Sequence, residues 1–151
     1  MDEPPRTYAL GRAAALDWLD GRDTTRARRA VDADLAFVSD LHAAEFAATY
    51  ATAGHLLHDP DRLTYVVERD GVPIGYASGH LAGPGAGHLD HMAVAPHARG
   101  LGDGSVLLAA ALRALFAEES VAEARLEVDE HRTPATRFYE SHGFTRVQPD
   151  E

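Results

Sequence analysis

The chemistry of this chain is concentrated in the run Val94-Ala95-Pro96-His97-Ala98-Arg99-Gly100-Leu101-Gly102-Asp103-Gly104-Ser105. An apolar stretch ends there, three glycines follow at alternate positions, and Val106-Leu107-Leu108 opens an apolar pattern of helical period. A helix that starts at such a turn leaves backbone N–H groups without partners at the positive end of its dipole. Glycine lets a ligand approach that backbone closely. The result is a cradle suited to a pyrophosphate, with Arg99 as its charge partner. The same residues would also serve as an ordinary glycine-rich turn ahead of a core helix. The spacing is not that of a dinucleotide-binding loop, because Ser105 stands where the third glycine would fall.

Other side chains define what chemistry is open. The chain has no Cys, no Lys and no Asn. That removes thiolate nucleophiles, thiolate zinc sites, Schiff bases, Ser-Lys dyads and the Walker-type phosphate loop. His88 and Asp90 fall two apart in a strand-like run, so under strict alternation they share a face while His91 projects from the other. Either Asp90 or His88 has the acid–base range to accept a proton near neutral pH. His55 and His58 are spaced for one helical face, but neither they nor His88 and His91 form a zinc motif, and no metal site is expected. The 24 acidic and 14 basic residues give a net charge of -10. That field repels a nucleic-acid backbone and attracts cations.

The elements that must hold these groups are readable by period and punctuation. Leu63–Arg69 and Val72–Leu81 read as strands joined at Asp70-Gly71, a strong hairpin turn. Ala82–Gly87 reads as a loop and His88–Val94 as a third strand. Gly102–Glu119 carries a helical stripe of Leu107, Leu108, Ala111, Leu112, Leu115 and Phe116. Arg125–Val128 alternates as a strand, Thr133-Pro134 starts a helix, Gly143 ends it, and Phe144–Val147 is a short last strand. Upstream, Thr24–Ala30 reads as a strand, Asp34–Tyr50 as a helix capped by Asp32 or Asp34, and Ala51–Arg62 as a loop or short helix. Residues 1–22 read as an N-terminal extension with a short helix through Leu10, Ala13, Leu16, Trp18 and Leu19, and residues 23–151 as one domain. The strand-helix-strand portion implies a parallel pair with a right-handed crossover. No run of about 18 apolar residues suggests a membrane span, and the acidic, Pro-containing start lacks secretory-signal character, so a cytoplasmic protein is expected.

Two linked patterns give this chain a family resemblance. Arg99-Gly100-Leu101-Gly102-Asp103-Gly104, with Val94-x-Pro96 upstream, resembles the Gln/Arg-x-x-Gly-x-Gly/Ala signature of the GNAT superfamily of acyl-CoA-dependent N-acyltransferases. Leu126-Glu127-Val128, Ala135, Phe138-Tyr139-Glu140 and Gly143-Phe144 resemble its second signature in the expected order. The resemblance implies a mixed α/β fold with a central sheet, an antiparallel meander, then strand, helix, strand, helix. It implies acetyl-CoA as co-substrate, a small-molecule or peptide amine as acceptor, and direct attack in a ternary complex. Backbone groups of Met92, Ala93 and Val94 would pair with the pantetheine arm, and those of Leu101–Ser105 would hold the pyrophosphate. Tyr139 matches the family's general acid, and Asp90 falls on a strand where relatives often carry Glu.

Three departures qualify that picture. Asp103 stands where the family is usually aliphatic, and a carboxylate beside a pyrophosphate would repel it unless it points away. That residue, together with the short stretch after Phe144, motivates the competing reading, a non-catalytic acyl-CoA-binding regulatory module. Arg132 replaces the common asparagine of the second signature. Only Gln148–Glu151 follow the last short strand, before the family's usual final strand, so either the sheet is one strand short or the extension, or a second copy in a homodimer, covers its edge. His42, Glu45, Phe46, Tyr50 and Tyr65 are candidates for the acceptor side, with core packing the competing role for Phe46.

Overall fold

The computed structural model describes residues 6–46, 52–128 and 133–147. Its strands are β1 (Arg6–Gly11), β2 (Ala27–Arg29), β3 (Arg62–Arg69), β4 (Val72–Leu81), β5 (Ala86–Val94), β6 (Glu123–Val128) and β7 (Thr145–Arg146). Its helices are α1 (Arg12–Leu19), α2 (Leu35–Glu45), α3 (Ala53–His58), α4 (Asp103–Phe116) and α5 (Thr133–Ser141). The strands form one mixed sheet in the order β2-β3-β4-β5-β6-β1-β7. β2 through β5 are antiparallel neighbours, β5 and β6 are parallel, and β1 runs antiparallel to both β6 and β7. This is the mixed α/β meander followed by strand-helix-strand-helix that the sequence implies. Asp70 and Gly71 both take positive φ, 54° and 78°, as a two-residue hairpin turn of the expected kind requires.

Two apolar layers sandwich the sheet. One face packs Leu107, Leu108, Leu112 and Phe116 of α4 with Val67, Ile74, Ala77, Leu89 and Leu126 of the strands, and the layer also takes in α1, Tyr139 and Phe144. The other packs Val38 and Leu41 of α2 and Leu56 of α3 against Val66, Tyr76 and Ala93. Among the described residues no helix is long and apolar enough to cross a membrane.

The N-terminal segment departs from the expected helix over residues 10–19. Its first part is β1, inserted between β6 and β7, with Tyr8 and Leu10 pointing into the α4 layer at 2% and 3% exposure. Gly11 ends the strand and caps α1. Residues 10–19 suit either period, and the pairing of Tyr8 with Leu126 and of Leu10 with Ala124 decides for strand at the start. Arg12 then donates to the Val121 carbonyl at 2.9 Å and to the Phe116 and Glu118 carbonyls at 3.2 Å, satisfying acceptors left over at the end of α4. The sheet position beside β6 is thus filled by this chain itself. Leu10→Ala should therefore cost about 2–5 kcal/mol of folding stability in a denaturant titration, as for other core leucines; a loss below about 0.5 kcal/mol would show that β1 contributes little to the domain.

Candidate active site

The site begins with one surplus residue in β5. Ser78 pairs with His91 and Gly79 with Leu89, leaving Asp90 as a bulge against β4. Gly79 is required there, since a Cβ would sit 2.6 Å from the His88 carbonyl oxygen. A bulge bends its strand and increases the local twist. On the other edge of β5, parallel pairing with β6 runs from Ala86–Glu123 to Leu89–Leu126 and goes no further, although β5 continues to Val94 and β6 to Val128. The edge of β5 from Asp90 to Val94 therefore faces a gap. Met92 and Val94, part of the predicted pantetheine-binding stretch with Ala93, lie along it.

The bulge also resets the alternation of side chains. Leu89, Met92 and Val94 belong to the α4 layer and Ala93 to the α2 layer. His91 comes out on the α2 face, with its ring 4.7 Å from that of His42 and 4.9 Å from that of Phe46. The expectation that His91 points away from His88 and Asp90 is thus corrected: strict alternation does not survive an inserted residue.

Beyond β5 the chain turns through Gly100 and Gly102, with φ of 84° and 88°, and α4 starts at Asp103. The positive φ at both positions is accessible to glycine without strain. The first turn of α4 leaves its amides without intrahelical partners, pointing back along the helix axis toward this loop. α5 abuts the same turn: a Cβ on Gly104 would meet the Phe138 ring at 3.3 Å, and Ser105 Oγ lies 2.8 Å from His142 Nε2. Arg99 donates from Nε to the Val94 carbonyl at 3.0 Å and from Nη2 to the Glu45 carboxylate. It bridges the end of β5 to the end of α2.

Asp103 resolves the electrostatic problem the sequence poses. Its side chain is 0% exposed and faces inward, paired with the guanidiniums of Arg26 and Arg69. Arg69 Nη2 stands 3.1 Å from each carboxylate oxygen. The carboxylate is buried, and its charge is met by these two arginines.

The proton-handling groups lie on the α2 face at the bulge. Asp90 Oδ1 is 2.9 Å from His88 Nδ1, while Oδ2 is 2.7 Å from His80 Nδ1 and accepts from Arg62 Nη1 at 3.0 Å. Burial works to raise the Asp90 carboxyl, but hydrogen bonds from His88 and His80 outweigh it and the group ends below its usual range. The bond to Asp90 raises the His88 imidazole above its usual 6.5, against the opposing effect of burial. His80 and Arg62 are the partners that reading the strands singly misses. Pairing β4 with β5 across the loop places His80 opposite His88, and that register was the available signal.

The His80, His88 and Asp90 donor atoms lie within 4.8 Å of one another, close enough to invite a cation. Arg62 already supplies a positive charge to Asp90 Oδ2, and a divalent ion would have to sit against it. His55 and His58 do not converge: His55 meets Thr52, and His58 Nε2 meets Asp32 at 2.8 Å.

Tyr139 sits in the α4-side layer, 8% exposed, its ring 5.3 Å from Phe138 and 5.6 Å from Phe144. That layer also holds Leu89 and Leu126, the pair at which the gap closes. Of the acceptor-side candidates, His42 and Phe46 gather with His91 and Tyr76, with His42 Nδ1 2.5 Å from the Tyr76 hydroxyl. Glu45 pairs with Arg99. Tyr65 lies on the opposite face, against the α4 layer, with Arg29 over its ring. Tyr50 and Arg132 lie outside the described residues.

A parallel strand pair that parts beside a glycine-framed helix start defines the architecture of an acyl-CoA-dependent acyltransferase. Residues 18–144 match the model of the Acetyltransferase (GNAT) family, and the chain belongs to that family. A mycothiol acetyltransferase from Thermomonospora curvata is 39% identical over 92 residues, which cover 61% of this chain and 30% of that protein. The chain thus matches less than a third of this relative's length. A GNAT-family protein from Novosphingobium aromaticivorans shares the fold with a TM-score of 0.72 at 18% identity, covering 97% of this chain and 61% of that one. Arabidopsis thaliana NAA60, solved with a bisubstrate analogue, gives a TM-score of 0.71 at 18% identity over 81% of this chain and 84% of its own.

His91 generates a stability prediction. Burial, then the neighbouring His42, lowers its imidazole from 6.5 to about 4. Between those values the unfolded chain binds a proton that the folded chain does not, so this group makes stability fall as pH drops from about 6.5 to about 4. His91→Leu should flatten that part of the stability–pH curve relative to the parent protein. Parallel curves from urea titrations across the window would show that His91 is not buried as a neutral ring.

Proposed function

We propose that this protein is an N-acetyltransferase that moves the acetyl group of acetyl-CoA to an amine in a ternary complex. The observation that carries this reading is the gap between β5 and β6 opening beside the first turn of α4. A pantetheine arm laid in that gap finds the β5 edge of Met92–Val94, which β6 does not pair and where the Val94 carbonyl accepts from Arg99, while the pyrophosphate meets the amides of Leu101–Ser105. Family membership and the fold shared with acetyltransferases support it. The pairing of buried Asp103 with Arg26 and Arg69 meets one of the two motives for a non-catalytic acyl-CoA-binding module. The acceptor is a small-molecule or peptide amine rather than a nucleic acid, in keeping with the net charge of -10. A cytoplasmic location belongs to the same reading.

The chemistry needs a neutral amine, a polarised thioester and a protonated leaving thiol. In the proposed step the amine nitrogen attacks the thioester carbonyl carbon, and a new C–N bond forms as the C–S bond breaks. The ammonium proton passes to His88, directly or through one water, and Tyr139 donates a proton to the departing sulfur. His88 suits the base role better than Asp90. Both Asp90 oxygens already accept hydrogen bonds and its carboxyl is held low, whereas the His88 imidazole is raised toward the working pH. Asp90 is then the positioning residue that fixes the His88 ring. The products are an acetamide and free coenzyme A.

Thiol release from acetyl-CoA, measured against a panel of polyamines, amino acids, aminoglycosides and peptide N-termini, tests the activity. Amine-dependent release supports it, and tight acetyl-CoA binding with no turnover by any acceptor favours the binding module. Once an acceptor is found, the acidic limb of the rate profile should fall above pH 6.5, where the raised His88 protonates. His88→Gln should remove that limb and slow the chemical step by roughly 10²–10⁴-fold, whereas an unaltered profile assigns the base elsewhere. Tyr139→Phe should retain acetyl-CoA binding and slow the same step by a similar roughly 10²–10⁴-fold. Unchanged single-turnover rates in that variant would remove Tyr139 from the mechanism.

A further inference from the structure

Coenzyme A is a molecule with two ends. From the pyrophosphate, pantetheine runs one way and the adenosine runs the other, carrying a dianionic monoester on its ribose 3′ oxygen. The gap between β5 and β6 takes the first end in the reading above. Across α4 from that gap, on the β2–β3 flank, stand Arg26 and Arg69, both gripped by Asp103 at the first position of α4.

Their arrangement has the features of a phosphate seat. Two guanidiniums meet one buried carboxylate, so the group carries a net charge of +1. The side chains are 41% and 40% exposed, so part of each faces solvent although both are anchored from below. Arg26 Nη1 also donates to the Glu68 carbonyl at 3.2 Å, and Arg69 Nη2 lies 3.5 Å from the Leu101 carbonyl, within the loop that frames the cradle. Arg69 is thereby held against the pyrophosphate loop, and Arg26 beside it between β3 and the first residue of α4. Arg99, the arginine within that loop, is turned to Glu45 and the Val94 carbonyl instead. In a chain of net charge -10, this fixed positive pair needs a reason beyond neutralising one carboxylate that an aliphatic residue would make unnecessary.

We propose that Arg26 and Arg69, oriented by Asp103, bind the ribose 3′-phosphate of coenzyme A and make this protein selective for the 3′-phosphorylated form. The inference rests on acetyl-CoA being the co-substrate. Guanidinium forks suit phosphate oxygens, and a pair held by a buried carboxylate loses little freedom on binding. Asp103 is the positioning residue of the site and does not itself touch the ligand.

Calorimetric titration with coenzyme A and with 3′-dephospho-coenzyme A tests this without any acceptor amine. The parent protein should bind coenzyme A roughly 10- to 100-fold more tightly, the range for a charge-assisted contact. Arg69→Gln and Arg26→Gln should each shrink that ratio toward one while leaving affinity for the dephospho form unchanged. The retained dephospho affinity shows that the variants are folded. In either variant the remaining arginine still pairs with Asp103. Equal affinity of the parent protein for the two ligands overturns the proposal but leaves the acetyltransferase reading intact. The same holds if the variants lose both ligands alike. Failure of the parent protein to bind either ligand overturns both.

Discussion

Asp90 is one residue more than β4 can pair with, and the bend this forces in β5 organises the site. Without the surplus residue β5 would run straight, with its pairing to β6 free to continue and its side chains alternating to the end. With it, pairing stops at Leu89 and Leu126, a length of backbone edge comes free, and His91 turns to the face that already carries His88. The opening for a ligand and the grouping of proton-handling side chains thus have a common physical origin. Gly79 across from the bulge, where a Cβ would strike the His88 carbonyl, belongs to the same device.

Charge follows the same division of labour. Buried carboxylates are answered by arginines: Asp103 by Arg26 and Arg69 and Asp90 by Arg62, all from distant parts of the chain, and Asp34 at the start of α2 by nearby Arg28, whose paired bonds are the main cause holding its carboxyl low. Because each carboxylate is largely buried and multiply bonded, losing a partner would leave a charge in a medium that solvates it poorly. In two of these cases a guanidinium thereby fixes the start of a helix. Arg12 and Arg113 do the converse for ends: Arg12 takes the Phe116 carbonyl at the end of α4 and the Val121 carbonyl beyond it, and Arg113 takes the carbonyls of Leu19 at the end of α1 and Arg22 beyond it.

Local pattern made much of this legible. The Asp70-Gly71 hairpin, the stripe of α4 and the glycine loop before it all depend on neighbours in sequence, and each stands where period and punctuation put it. What depends on distant partners was not legible. β1 is a six-residue strand whose identity comes from pairing with β6 more than a hundred residues later, and helical spacing through Leu16 and Leu19 masked it. The bulge was invisible because a surplus residue shows only against its partner strand. Asp103 was recognisable as out of place, but its direction depends on Arg26 and Arg69, 77 and 34 residues away. His88 and Asp90 were legible as candidates, whereas their division into base and positioning residue emerges from the three donors gathered on one carboxylate.

In the proposed function the edge freed by the bulge, together with the first turn of α4, receives coenzyme A. Residue-resolved amide hydrogen exchange with and without saturating coenzyme A tests it most directly. Exchange should slow in two separate stretches, Met92–Val94 and Leu101–Ser105, with β2 and the β3–β4 hairpin turn little changed at their backbones. Binding that left both stretches unprotected, or protected a different surface, would contradict it.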